Sequence, residues 1–369
     1  MKLFWAIFKK EFKQILRDSR TLAMIIFTPA LLLILFGYVL SFDVRNIKTV
    51  VFDNDKTYYS REFLRRLKAS NIFEITKMIE NESLIFNELD SFKSEVAILI
   101  PNGFGEKIAK SSVPQLGIFI DGTNAQIATI VQGYIRAISE FQSLKILSGY
   151  FSAPQIKAQP RIWYNPELRS NVFLIPGLIV FILMITCTIS TALSIVRERE
   201  RGTMEQLLIS PLSGAHIILG KTLPYVFIAL VSLSLVLVTS SFVFNINVKG
   251  SYGLLFLSSI LFIVCACGQG IFISSVTRSQ QVAYFASALS SILPSLILSG
   301  FIFPIRNMPY AIQILTYIVP ARYFVALLRS IMIKGVHFNI FWKEMLALFL
   351  FSLFILLGAI MRMKKAKMT

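Results

Sequence analysis

The chain has 369 residues, 55% of them hydrophobic, with 32 Phe, a mean hydropathy of +0.67 and a net charge of +17. So much apolar composition, gathered into uncharged runs, exceeds what a soluble domain carries and matches what lipid demands of the residues facing it. Nor is the charge a nucleic-acid signature: Asp43–Ser170 holds 16 basic and 14 acidic residues, whereas the excess, 21 basic to 6 acidic, lies beside the apolar runs.

Residues 3–18 predict an amphipathic helix, with Phe4, Phe8, Phe12 and Ile15 at helical spacing and Lys9, Lys10, Lys13 and Arg17 as cationic edges. Such a helix suits the cytoplasmic headgroup layer, and residues 1–20 form an entry segment. Leu22–Phe42 is long enough to span a bilayer and shows no small-residue cleavage site, so residues 21–42 carry an uncleaved first span.

From residue 43 to 170 the pattern changes. Strands are expected at Thr49–Phe52, Phe73–Met78, Val96–Ile100 and Leu116–Ile120, with helices at Tyr58–Ala69, Glu80–Leu89, Gly103–Lys110 and Ala125–Phe151. Strands alternating with helices predict an α/β domain with a largely parallel sheet. It contains no cysteine and must fold on its own core. Asp53, Asp55 and Asp121 fall at strand ends, where α/β domains bind ligands and where turn residues also gather.

Residues 171–369 hold five more spans, at Val172–Val196, Ile217–Phe242, Tyr252–Val276, Val282–Phe303 and Phe341–Met361. Cys187, Cys265 and Cys267 lie within them as small apolar filler, and the C-x-C spacing turns two sulfurs to different helix faces, which does not suit a metal pair. The fold class is thus a polytopic α-helical membrane protein of six spans, with an α/β domain inserted between the first and second.

Flanking charge orients it. Lys2, Lys9, Lys10, Lys13, Arg17 and Arg20 precede the first span. Arg197, Arg199, Arg201 and Lys221 separate the second from the third, Arg278 the fourth from the fifth, and Arg362, Lys364, Lys365 and Lys367 follow the sixth. All fall on one side, which places both termini in the cytoplasm and the α/β domain outside the cell membrane. Residues 304–340 are external too, and their Arg306, Arg322, Arg329 and Lys334 are exceptions to the bias. Broken by Pro309 and Pro320, this stretch predicts two short helices that dip back into the outer interface.

Catalytic signals are weak. Gly214-Ala-His-Ile-Ile-Leu-Gly220-Lys221-Thr222 has one residue too many for a phosphate-binding loop and opens a span instead of following a buried strand. Lys221 is expected to snorkel to the headgroups. His216 and His337 fall on opposite sides, and neither G-x-S-x-G nor H-E-x-x-H occurs. With no charge expected near the centre of a span, an ion pump or proton relay lacks its parts. Ser287, Ser291, Ser295 and Ser299 form a four-residue stripe that fits a substrate path, a dimer seam or ordinary helix packing.

The most informative stretch is Arg197-Glu-Arg-Glu-Arg-Gly-Thr-Met-Glu-Gln-Leu-Leu-Ile-Ser-Pro211. Thr203 with Gln206 fits a capping box, Met204, Leu207 and Leu208 share a helical face, and Pro211 ends the helix. A short helix pinned between two spans can pass force into both. A solvated loop that only sets topology has the same composition.

This segment resembles the intracellular coupling segment of the ABC type-2 export permease family, especially its bacterial drug-efflux-like branch. Leu298-Ser-Gly-Phe-Ile-Phe-Pro-Ile-Arg-Asn-Met-Pro309 resembles the family's external end of span five, and Ile318-Val-Pro-Ala-Arg-Tyr-Phe324 its following re-entrant segment, with Pro304, Pro309, Pro320 and Tyr323 as the matching external positions. The order of parts matches over essentially the whole chain; Arg306 departs, standing where many members would carry an acid. The resemblance implies a permease that is not itself an enzyme and binds no cofactor. ATP-Mg would be held by two copies of a separate cytoplasmic ABC ATPase. A second permease, identical or paralogous, and in some systems a periplasmic adaptor complete the assembly in the lipid of a bacterial inner membrane. Arg197, Glu198, Arg199, Met204, Glu205, Leu207 and Leu208 are then the ATPase-coupling residues, with Glu198 and Arg199 pairing with surface charges. The exported compound would be an amphipathic, drug-like or lipid-like small molecule. The alternative is a membrane-anchored sensor that binds a ligand through its external α/β domain.

Overall fold

The computed structural model describes residues 2–40, 47–121 except for four single positions, 131–138, 164–165, 169–203 and 213–368. The chain divides into two units, Met1–Phe42 with Arg161–Thr369, and Asp43–Pro160.

The first unit is helical. Helix α1 (Lys2–Arg17) is amphipathic and α2 (Ser19–Val39) is apolar. The smaller unit follows. It contains β1 (Ile47–Asp53), α3 (Tyr58–Ala69), β2 (Phe73–Met78), α4 (Leu84–Asp90), β3 (Val96–Ile100), α5 (Phe104–Ala109), β4 (Gly117–Ile120) and a helical stretch at 131–138, α6. The chain then returns to the helical unit with α7 (Ser170–Glu200), α8 (Gly214–Phe244), α9 (Tyr252–Val276) and α10 (Gln280–Leu293), the last continued by a π-helical turn over Pro294–Leu298. Short α11 (Tyr310–Thr316) and α12 (Pro320–Leu328), with a second π-helical turn at Arg329–Lys334, lead into α13 (Phe338–Met368).

Six helices are long and apolar enough to cross a membrane, over Leu22–Val39, Ser170–Glu200, Gly214–Phe244, Tyr252–Val276, Gln280–Leu298 and Phe338–Met361. These are the six runs expected from hydropathy, and the chain is a multi-pass membrane protein. The sixth begins earlier than expected because a break at Phe341 (φ −118°, ψ 19°) joins a preceding turn to it. Helix α7 is the axis: 78% of its apolar window is buried, against 22% for α10 and α13. Its neighbours expose Phe227, Phe242, Phe285, Leu289 and Phe354 outward, as lipid-facing helices do. Phe262 stacks on Phe324 (4.3 Å between centroids) and Phe181 on Phe301, which closes the core around α9 and α12. Between residues 304 and 340, α11 and the segment Pro320–Lys334 meet at 83°. Pro309 precedes α11, Pro320 occupies the first turn of α12, and Tyr323 Oη donates to the Tyr317 carbonyl (3.0 Å).

The smaller unit has a four-stranded sheet in the order β2-β1-β3-β4. β1 pairs in parallel with β2 and β3, whereas β4 runs antiparallel to β3. Ile47, Val51, Phe63, Leu67, Val96, Ile98 and Ile100 build the core on one face, joined by Val131 and Ile135 of α6; Val50, Ile79, Ile85 and Ala97 fill the other. The rest of the helix expected over Ala125–Phe151 lies outside the described residues. Asp53 and Asp55 serve the turn after β1. Asp53 Oδ1 accepts from the amides of Asp55 (3.1 Å) and Lys56 (3.0 Å), and Oδ2 accepts from Ser60 Oγ (2.8 Å). Asp55 Oδ2 accepts from the Gly105 amide (2.9 Å) in the first turn of α5 and from Thr57 Oγ1. Removing such a cap costs about 1–2 kcal/mol. Asp55→Ala should therefore speed amide hydrogen exchange in β1 and β3, read by mass spectrometry on the intact protein, and leave the spans' amides unchanged.

Candidate functional site

The chemistry-bearing residues of the helical unit converge where α7 ends and α8 begins. On α1 the row that faces the bundle is Ile7, Glu11 and Ile15, spaced four apart and 6%, 1% and 3% exposed. The expected Phe ladder flanks this row: Phe8 stacks on Phe12 (5.8 Å), Phe12 meets Phe227 edge-on (5.7 Å), and both are only half-buried. α1 can lie this close to α8 because residue 220 is glycine. A Cβ there would stand 2.8 Å from Ile7 Cγ2 and 2.9 Å from its Cβ.

An acid inside an apolar row needs a counter-charge, since burying an unpaired carboxylate is far costlier than leaving it in water. Lys221 supplies it, its Nζ 3.0 Å from Glu11 Oε1. The same ammonium stands 2.5 Å from Glu198 Oε2 of α7, close enough for an ion pair though not aligned as a hydrogen bond. Lys10 Nζ closes the square, donating to Glu198 Oε1 (2.7 Å) and lying 3.6 Å from Glu11. Burial of the Lys10 side chain works against its charge, but Glu198 and then Glu11 outweigh that and hold its ammonium above the ordinary lysine range. Two lysines and two glutamates from three helices thus form one neutral tetrad, with only Lys10 substantially exposed.

Two sequence expectations change here. Lys221 does not snorkel: it is 1% exposed and paired on both sides, which also accounts for the near-miss to a phosphate loop. Glu198, expected to present its charge to a partner, is 4% exposed and turned into the tetrad. Its neighbour Arg199 is also committed within the chain, donating to the carbonyls of Ser274 (2.8 Å) and Thr277 (2.7 Å) at the end of α9. Arg197 pairs with Asp18 (3.2 Å) and donates to Gln280 Oε1 (3.3 Å), and Glu200 accepts from the Gln280 amide (2.7 Å). The last turn of α7 is therefore fastened to α1, α8 and the junction of α9 with α10.

Beyond it the Thr203 hydroxyl donates to the Glu198 carbonyl (3.1 Å). Met204, Glu205, Leu207 and Leu208, with the rest of the expected coupling helix, lie outside the described residues. A cavity of about 490 Å³ opens between α1 and the α7 end, lined by Lys10, Lys13, Arg17, Arg197 and Arg201, with Asp18 as its one acid.

The serine stripe is placed inside the chain. Ser287, Ser291, Ser295 and Ser299 are 0–2% exposed along α10 and its π-helical turn, and α10 packs along α7. Ser299 Oγ donates to the Ser295 carbonyl, while the hydroxyls of Ser287, Ser291 and Ser295 have no partner. Ser287, Ser291 and Ser295 are thus buried within this chain, while Ser299 at the end of the row also borders a cavity at the far end of the bundle. The three cysteines are buried and unbridged, and no group of metal-ligating side chains occurs among the described residues. His216 lies in the first turn of α8, its amide donating to the capping Ser213 Oγ (3.3 Å), whereas His337 precedes α13 at the opposite end of the bundle.

Among the described residues this arrangement holds no nucleophile or acid–base pair poised for catalysis. It is a joint that fastens the end of α7 to α1 and α8, and through Arg199 and Glu200 to the junction of α9 with α10. Sequence reasoning missed Glu11 and Lys221, although the acid in the Ile7–Ile15 row was the available signal.

A family model described as ABC-2 family transporter protein matches residues 19–361. The chain is 32% identical over 333 residues to the probable multidrug ABC transporter permease YbhS of Escherichia coli, covering 89% of this chain and 88% of that protein. It is 30% identical over 341 residues to the probable multidrug ABC transporter permease YbhR of the same organism, covering 92% of each. ABC transporter G family member 20 of Dictyostelium discoideum is 25% identical over 371 residues, a match that fills 98% of this chain and 50% of that protein.

Proposed function

The chain belongs to the ABC-2 family of transporter proteins, and from that premise we propose that it is the membrane permease of an ATP-driven exporter. Its cargo on this reading is an amphipathic small molecule, drug-like or lipid-like, moved out of the cytoplasm or the inner leaflet. The chain sits in a bacterial inner membrane with both termini cytoplasmic. Two copies of a separate ATPase, which carries the ATP-Mg, drive it, and a second permease, identical or paralogous, completes the pathway; a periplasmic adaptor extends it outward.

The observation that supports this best is the joint at the end of α7. A protein that only anchors a sensor has no use for four helices fastened around one charged loop. Met204, Leu207 and Leu208 enter a groove of the ATPase and Glu205 pairs beside them. The basic cavity formed by Lys13, Arg17, Arg197 and Arg201 receives an acidic part of the same partner. Arg199 and Glu198 act one step back, holding the loop's base to the spans.

Affinity purification of the tagged full chain from mild-detergent membranes should recover a nucleotide-binding subunit, identified by mass spectrometry. Combined substitution of Met204, Glu205 and Leu208 should abolish that recovery, and Glu205→Lys alone should leave ATP hydrolysis running while export falls. If a stably inserted chain captures no ATPase, the reading fails and a ligand-binding role for the smaller unit takes its place.

A further inference from the structure

At the end of the bundle opposite the tetrad, a cavity of about 510 Å³ is lined by four cations, Arg306, Arg322, Arg329 and Lys343, and a single acid, Glu344. Among the described residues none of the four is in an ion pair, in contrast to the cations of the tetrad. They do not simply point to water. Arg329 is held under the rim, donating to the carbonyls of Gly300 (2.9 Å), Phe301 (3.0 Å) and Phe173 (3.3 Å) with its guanidinium 3.7 Å from the Phe173 ring centre. Its Nε is buried and has no partner. Arg322 lies 3.8 Å from the Tyr317 ring centre and donates to Thr316 Oγ1.

Carbonyls and aromatic faces orient these guanidiniums without neutralising them. Four cations held in a concave, partly dry site against one carboxylate, with none of them ion-paired to it, leave an excess of positive charge that an anion would complete. The cations also run against the charge bias that orients the spans, so topology does not explain them. The walls are built for a ligand rather than for plain helix packing. Both π-helical turns border the cavity, one ending beside Ser299 and the other opening at Arg329, and such turns gather at functional sites. The volume exceeds what a bare phosphate fills and lies within the range of small-molecule pockets. Next in sequence to the lining residue Tyr317, Ile314, Leu315 and Ile318 stand 52%, 52% and 68% exposed, apolar surface on and after α11 that an acyl chain can cover.

We propose that this cavity binds the phosphate-bearing headgroup of an anionic amphiphile, with Arg322 and Arg329 as the fixed forks, Arg306 and Lys343 as the rim, and the acyl portion along α11. The site stands on this chain alone and does not depend on which partner drives transport.

Native mass spectrometry of the full chain in an uncharged detergent, offered phosphatidylglycerol or phosphatidylcholine, tests it directly. The protein should retain phosphatidylglycerol in preference. That preference should fall about tenfold or more in the exposed rim variant R306Q/K343Q and in R322Q, the loss of one or two charged hydrogen bonds. K334Q, which removes a charge from the same segment but does not line the cavity, should match the parent. A parallel thermal-shift arm uses inorganic phosphate alone. Stabilisation by phosphate that the rim variant loses assigns the site to any phosphate group in solution, and lipid selectivity without it assigns the site to a membrane headgroup. Equal retention of both lipids with no response to phosphate overturns the proposal, as does an equal loss of preference in K334Q.

Discussion

Lys221→Met should lower the stability of the detergent-purified protein by about 3–5 kcal/mol, the cost of leaving the buried Glu11 carboxylate without its close cation. Glu11 and Glu198 are 1% and 4% exposed, and Lys221 is the one ammonium within 3.0 Å of both. Lys10, half out of the joint, keeps its bond to Glu198 (2.7 Å) but stands 3.6 Å from Glu11, too far and too wet to replace Lys221 there. Methionine fills much the same volume, so the loss reports charge and not a cavity. A buried ion pair is weak evidence for stability against an apolar replacement, whereas breaking one is expensive. Glu11→Gln combined with Lys221→Met should therefore recover a good part of the loss, a coupling that a double-mutant cycle measures by thermal unfolding. If Lys221→Met stays within about 0.5 kcal/mol of the parent, the tetrad carries no energy, and the joint built on it fails with it.

Why this joint escaped the sequence, while most of the fold did not, follows from range. The six spans were legible because each is an apolar run, charged if at all only near one end, long enough for a bilayer, a property of consecutive residues. β2 and β3 fell on their expected residues because the Phe73–Met78 mix of apolar and polar positions and the apolar run Val96–Ile100 before Pro101 are also local signals. β1 began two residues early and β4 ran antiparallel, since strand pairing depends on partners elsewhere in the chain. The Glu11–Lys221 contact joins residues 210 positions apart, and nothing in either neighbourhood names the other. What was readable is one-sided: Glu11 repeats the spacing of Ile7 and Ile15, so its face required a cation from somewhere. The Phe ladder drew the reading one position around the helix, because bulk apolar residues mark a lipid edge as readily as a protein face. The serine spacing fitted a substrate path, a dimer seam or helix packing alike, and said nothing of which helix lay against it.

Gly270→Val should be the most damaging apolar substitution in the spans, because the space beside that residue is filled by backbone. A Cβ there would stand 2.5 Å from the Thr188 carbonyl oxygen and 3.1 Å from the Ala192 nitrogen, and neither can rotate away as a side chain would. α9 must move off α7, at about 1–3 kcal/mol for overpacking of this kind. Gly253→Ala in the same helix is the control. Its nearest neighbour would be Ser251 Oγ at 3.6 Å, so the added methyl should be neutral or stabilise by a few tenths of a kcal/mol through helix propensity. Thermal unfolding of the two variants side by side separates a packing effect from a general loss of glycine. The displacement also reaches function by a stated route. Arg199 holds the end of α7 to the Ser274 and Thr277 carbonyls of α9 at 2.8 and 2.7 Å, within one helical turn or two of Gly270. A shift that parts α7 from α9 lengthens those bonds first. On the proposed exporter reading, a load entering through residues 201–213 then moves α7 without carrying α9, so Gly270→Val should insert, run ATP hydrolysis with the proposed ATPase and export poorly. Export at the parent rate from a variant whose unfolding temperature has fallen would mean that α9 does not carry the load.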